Sequence, residues 1–124
     1  MLDHIGLSVG DLADAKKFFS HALKPLGYEA LMDFEYNGKR HVGFGVAGKP
    51  DFWIQQGHGA TEHLHVAFHA DTRARVDAFY KAALHAGGED NGKPGLRPHY
   101  HEHYYGAFVL YRGLNVEAVC HTPE

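Results

Sequence analysis

The chain carries one segment twice. LDHIGLSVGDLADAKKFFSHAL at 2–23 and EHLHVAFHADTRARVDAFYKAAL at 62–84 each place a short alternating apolar run ahead of a helix with one apolar face. Aligning His4 with His65 also aligns Ile5 with Val66, Leu7 with Phe68, Ala13 with Ala74, Phe18 with Phe79, Phe19 with Tyr80 and Leu23 with Leu84. The register is unbroken through strand and helix and ends in Gly27 and Gly88, where a C-terminal cap is expected after each helix. Whatever the fold, it has to accommodate one βα unit at two equivalent places.

Strand-like runs follow each helix. In the first half they span about 28–34, 40–46 and 51–56, punctuated by NGK and AGKP. In the second half a weak run at 88–92 precedes 103–110 and 114–121, which are split by RG. GKPGLRP at 92–98 reads as a loop, because two prolines and two glycines suit neither a helix nor a strand ladder. Both halves therefore read β-α-β-β-β, with modules at about 1–57 and 62–124. No linker separates them, so a single α+β domain over 1–124 is expected.

At 124 residues, with 44% apolar and 22% charged residues, the chain can bury a core without staples. A formal charge of −3 offers no basic footprint for nucleic acid, and no Lys/Arg run suggests a membrane surface. Cys120 is the only cysteine and the first residues have no basic leader pattern, which points to a reducing, cytoplasmic setting. The compositional oddity is twelve histidines, as many as all Lys and Arg together.

Alternation assigns faces to three strands. Ile5, Leu7 and Val9 share the side that packs on a helix, leaving His4, Gly6 and Ser8 opposite. Leu64, Val66 and Phe68 leave His63, His65, Ala67 and His69, while Leu114, Val116, Ala118 and Cys120 leave Asn115, Glu117, Val119 and His121. The second faces collect histidines and an acid, His4, His65 and Glu117 among them, with small residues between, the form of a concave ligand site. Any one of these residues alone is better read as a surface or hydrogen-bonded group. Their recurrence at equivalent positions of a duplicated unit is what raises the metal reading.

The pieces DHIGLSVGDLADAKKFF, EHLHVAFHA and YYGAFVLYRGLNVEAVCH resemble the vicinal oxygen chelate superfamily, which includes glyoxalase I, extradiol dioxygenases, bleomycin-resistance proteins and fosfomycin-resistance thiol transferases. The resemblance covers essentially the whole chain. It implies paired βαβββ modules forming a half-barrel sheet around a cavity, with the helices outside, and a homodimer. It also implies His4, His65 and Glu117 as ligands of one divalent metal (Fe, Mn, Zn, Ni or Co), which would act as a Lewis acid on a small substrate bearing adjacent oxygens. Matching PDFWI at 50–54 to LNVEA at 114–118 puts Trp53 opposite Glu117, where glyoxalase I has an acid or glutamine. Trp53 cannot bind a metal. Gln55, two residues on, shares its face and could act instead if the register slips. LYRG at 110–113 replaces the D-P-D-G turn common in relatives, and no basic tail follows Glu117 to grip a phosphonate, so fosfomycin itself is not expected.

Trp53, Gln55 and His101 are candidate substrate contacts. For proton transfer the candidates are His103, His101 and Tyr105, on the expectation that Phe108 and Leu110 face the core and odd positions face the cavity. The same stretch, HYHEHYY at 99–105, places His99, His101 and His103 at alternate positions, which in an extended strand would form a rival metal site. The flanking Pro and Gly argue for a loop, and a place on the rim of the cavity. Two functions remain open: a metal-dependent lyase, isomerase, thiol transferase or dioxygenase, and a metal-free binding protein of the bleomycin-resistance kind.

Overall fold

In the computed structural model, which describes residues 1–58 and 61–124, the duplicated segment forms two βαβββ modules. The first contains β1 (Ile5–Val9), α1 (Leu12–Ala22), β2 (Glu29–Tyr36), β3 (Lys39–Val46) and β4 (Lys49–Gln56). The second contains β5 (His65–His69), α2 (Arg73–His85), β6 (Glu89–Leu96), β7 (Tyr105–Tyr111) and β8 (Leu114–Cys120). Each module makes a four-stranded sheet, ordered β1-β4-β3-β2 and β5-β8-β7-β6. In both, the first strand lies parallel to the last and the other pairs are antiparallel. This is the α+β two-module half-barrel that the family resemblance implied, built from the two βαβββ units expected from the repeat.

Local chemistry explains the matching elements. The side chain of Asp11 accepts the backbone N–H of Asp14 at the start of α1, and Thr72, at the equivalent repeat position, accepts that of Arg75 at the start of α2. Three hairpins turn on adjacent residues with positive φ, Asn37–Gly38, Ala47–Gly48 and Arg112–Gly113, which matches the twist of the flanking strands. Gly27 has φ +88 and caps a short 3-10 turn, Lys24–Leu26, that follows α1. Gly88 serves differently: the positive φ falls on Gly87, and a Cβ on Gly88 would lie 2.3 Å from Val109 Cγ1. The aligned glycines thus share a position but not a reason.

The core joins the modules. Phe18 of α1 stacks on Tyr111 of β7, with ring centroids 4.3 Å apart, and Phe19 meets both Phe52 of β4 and Tyr111 edge-on, at 4.9 and 5.6 Å. Phe52 in turn meets Phe68 of β5 at 5.2 Å. Phe18, Phe19 and Phe52 are all buried within this shared cluster.

Two expectations are corrected. GKPGLRP is not a loop throughout, because β6 runs to Leu96. As the edge strand of its sheet it tolerates Pro94, and its pairing with β7 slips around Gly92. The faces of β7 are also reversed. Phe108 pairs with Glu117 and so shares the concave face, whereas Ala107, Val109 and Tyr111 are buried on the helix side. Apolar residues occupy both faces of YGAFVLY, so alternation had nothing to distinguish them. Tyr105, proposed from sequence as a cavity residue, instead donates its hydroxyl to Asp77 of α2 at 2.6 Å, with Arg73 stacked over its ring.

Two outcomes are expected from this packing. Phe19→Ala leaves a void between the modules and should destabilise the fold by about 3–5 kcal/mol, read as a lower urea midpoint. Burial, then the bond to Asp77, pushes the Tyr105 hydroxyl up to about 12. The folded protein therefore favours protonated Tyr105, and that stabilisation is complete below the unfolded value near ~10 and lost as pH rises through the folded one. The stability gap between wild type and Tyr105→Phe should be constant below that pH and close above it, measured by urea melts across an alkaline series.

Candidate metal centre

Strand register builds the site on the concave face of the second module. Ala67 pairs with Glu117, and Glu117 with Phe108, so His65, Ala67 and His69 of β5 share a face with Glu117 of β8. Glu117 is 1% exposed, the buried charged residue among those described. A buried carboxylate needs partners for both oxygens. His65 donates from Nε2 to Oε1 at 2.8 Å, and the Tyr104 hydroxyl donates to Oε2. The His65 side chain is half exposed, so the acid lies beneath and the imidazole opens outward. Burial, followed by the bond to Glu117, pushes the Tyr104 hydroxyl well above the usual tyrosine range.

The equivalent face of the first module is aromatic. Gly6, Trp53 and Gly43 lie side by side on β1, β4 and β3. The Trp53 ring lies across Gly43, where a Cβ would come within 2.8 Å of it. Phe34 meets Trp53 edge-on at 5.8 Å, and His41 stacks on Phe34 at 5.5 Å. Gln55 shares this face and donates to Ser8 Oγ at 3.1 Å. Since Gly6 pairs with Trp53 as Ala67 pairs with Glu117, the first module has an indole where the second has the acid.

His4 stands apart. Its Nδ1 lies 2.7 Å from Asp3 Oδ1, and its side chain is 59% exposed. His4 and His65 both line a groove of about 380 Å³ where β1 and β5 approach, but Glu117 does not. Among the described residues, no group of three or more His, Cys, Asp and Glu is gathered closely enough to hold a metal ion. His65 and Glu117 are thus two candidate donors that meet within the chain, and imidazole with carboxylate is a donor pair that suits a divalent cation.

The HYHEHYY stretch is a folded loop, with β7 starting only at its last residue, so its histidines do not line one face. His101 Nδ1 accepts the backbone N–H of His103 at 3.0 Å, which leaves neutral His101 with its proton on Nε2, 2.9 Å from His121 Nδ1. The His103 ring lies 3.4 Å from the exposed carboxylate of Glu102. His99 packs on Tyr100. The residue that sequence reasoning missed is Tyr104. Its signal was the position two before Gly106, on the face of Phe108 and Glu117, which the reversed reading of β7 hid.

A comparison with curated proteins gives no match. Among solved structures, a glyoxalase/bleomycin resistance protein from Albidiferax ferrireducens T118 is 24% identical, with 97% of this chain and 98% of that chain covered and a TM-score of 0.78. The E144Q mutant of glyoxalase I from Zea mays is 22% identical with a TM-score of 0.73, this chain covering 95% of itself and 46% of that protein. The E126Q mutant of the fosfomycin resistance protein FosX from Listeria monocytogenes, complexed with Mn(II) and 1S,2S-dihydroxypropylphosphonic acid, is 21% identical over 99% of this chain and 93% of that chain, with a TM-score of 0.68. At these identities the structures establish a shared fold. The description of the Glyoxalase/Bleomycin resistance protein/Dioxygenase superfamily matches residues 1–113, and the chain belongs to that superfamily.

Proposed function

We propose that this protein is a metal-dependent enzyme acting on a small substrate with adjacent oxygen atoms, with His65 and Glu117 as two ligands and His4 as the third. The observation that carries this reading is the buried Glu117 carboxylate facing His65 on the concave face of the second sheet. An acid is not retained in such a place for stability alone, because its desolvation is costly. A bound divalent ion would supply Lewis acidity to chelating substrate oxygens. Fe, Mn, Zn, Ni and Co all suit two imidazoles and a carboxylate. The FosX complex with Mn(II) and a vicinal diol supports this reading by analogy of fold.

His65 would bind through Nε2, the nitrogen that faces Glu117, with the ring in the tautomer that carries its proton on Nδ1. Because His4 is not gathered with this pair, the third ligand is His4 of the partner subunit in a homodimer. In that arrangement the aromatic face of one protomer, with Trp53 and Gln55, covers the His65–Glu117 face of its partner and shields the substrate from water. His101 and His103 sit at the loop that rims the second sheet, where they can contact substrate or carry its proton. Reaction subclass, whether lyase, isomerase, thiol transferase or dioxygenase, follows from which substrate that enclosure admits.

The aromatic strip formed by Trp53, Phe34 and His41 favours a second reading, a metal-free small-molecule binding protein of the bleomycin-resistance kind. Ligand binding that is undiminished by a strong chelator would select it.

Gently purified protein is expected to hold about one divalent ion per chain, lost on His65→Ala and on Glu117→Gln, as elemental analysis would report; full retention by His65→Ala would overturn the ligand assignment. His4→Ala and His65→Ala chains should each lack metal when pure and regain it when refolded together, because one site in the mixed dimer is then intact. No recovery on mixing would place all three ligands in one chain.

A further inference from the structure

We infer that Tyr104 is the positioning residue of Glu117: its hydroxyl occupies Oε2, so that Oε1 alone faces His65 and whatever is bound between them. The inference deepens the metal reading above and rests on it for its binding arm. Three separate features converge on the contact.

The first is strand geometry. Tyr104 precedes β7 by one residue and reaches back along the concave face to a carboxylate on the neighbouring strand. That path crosses Gly106, where a Cβ would lie 3.2 Å from both Glu117 Oε2 and Tyr104 Cε1. A side chain at 106 would crowd the ring and the acid at once, so the glycine leaves the gap through which the phenol reaches its acceptor.

The second is the bracket around the ring. His101 and His121 both meet Tyr104 edge-on, at 5.5 and 5.3 Å, and are themselves hydrogen-bonded at 2.9 Å. Tyr100 packs on it at 4.7 Å. Strand end and loop thus hold the phenol from two sides, which reduces the conformational freedom it loses on making the bond.

The third is the division of labour at Glu117. Each carboxylate oxygen has one partner, and the two partners differ in kind. The half-exposed His65 ring offers a nitrogen that can ligate a cation, whereas the Tyr104 hydroxyl donates to Oε2. The arrangement would orient the Glu117 carboxylate and leave Oε1 as the oxygen open to a bound ion, as outer partners of ligating carboxylates do elsewhere.

Tyr104→Phe removes the hydroxyl and keeps the ring. Tyr111→Phe is the control, since it removes a comparable buried hydroxyl that bonds Asp14 on the helix side, far from Glu117. Metal affinity, measured by competition with a chromophoric chelator, should fall about 10–100-fold in Tyr104→Phe and stay at the wild-type value in Tyr111→Phe. The visible spectrum of the Co(II)-loaded protein should change only in Tyr104→Phe. In metal-free protein labelled with 13C at glutamate, the Glu117 side-chain carboxyl resonance should move in Tyr104→Phe and not in Tyr111→Phe. An unmoved carboxyl resonance overturns the inference, as does wild-type metal affinity in Tyr104→Phe. Wild-type protein that takes up no metal would instead overturn the metal reading, and the carboxyl resonance would still decide the role of Tyr104.

Discussion

The packing of α1 against both sheets is the contact on which the rest depends. Phe18 and Phe19 sit between Phe52 of the first module and Tyr111 of the second, and Phe52 continues the chain of rings to Phe68. The two modules share one aromatic cluster, so the apolar faces of both sheets are buried in a common core. Once those rings are engaged, the helix side of each sheet is spent. The concave faces are then the surfaces on which polar groups can be placed without disturbing the core.

That separation lets one duplicated unit carry two different surfaces. On the helix side, His4 and His65 are followed by near-equivalent residues, and the N-caps Asp11 and Thr72 do the same work. On the concave side the copies diverge: Trp53 over Gly43 in one, Glu117 beneath His65 in the other. The first is an aromatic wall and the second a charged half-site.

The abundance of histidine resolves into separate uses. His65 faces the buried acid, His41 stacks in the aromatic strip, and His101 with His121 braces Tyr104. Only a few are arranged for chemistry. In HYHEHYY the central contact is made by a tyrosine, Tyr104, with His101 as one wall of its ring. A histidine count therefore overstates the number of metal ligands, because imidazole is equally useful as a flat, polar packing group.

Sequence alone determined the repeat, the two βαβββ modules, the three hairpin turns and the faces of β1, β5 and β8. Each of these rests on local rules: caps, paired residues of positive φ, and apolar residues alternating with polar or small ones. It also placed Glu117 and His65 on one face, since a strict period of two needs no knowledge of the partner strand. Tertiary structure decided what local rules leave undetermined. The faces of β7 depend on its neighbour because both sides are apolar, and β6 extends through Gly and Pro only because it lies at an edge with one ladder to satisfy. Which polar groups meet was decided there too: His65 and Glu117 bond across adjacent parallel strands, while His4, just ahead of β1, shares a groove with His65 alone of the two. Distance between sheets is a property of packing, and no spacing along the chain encodes it.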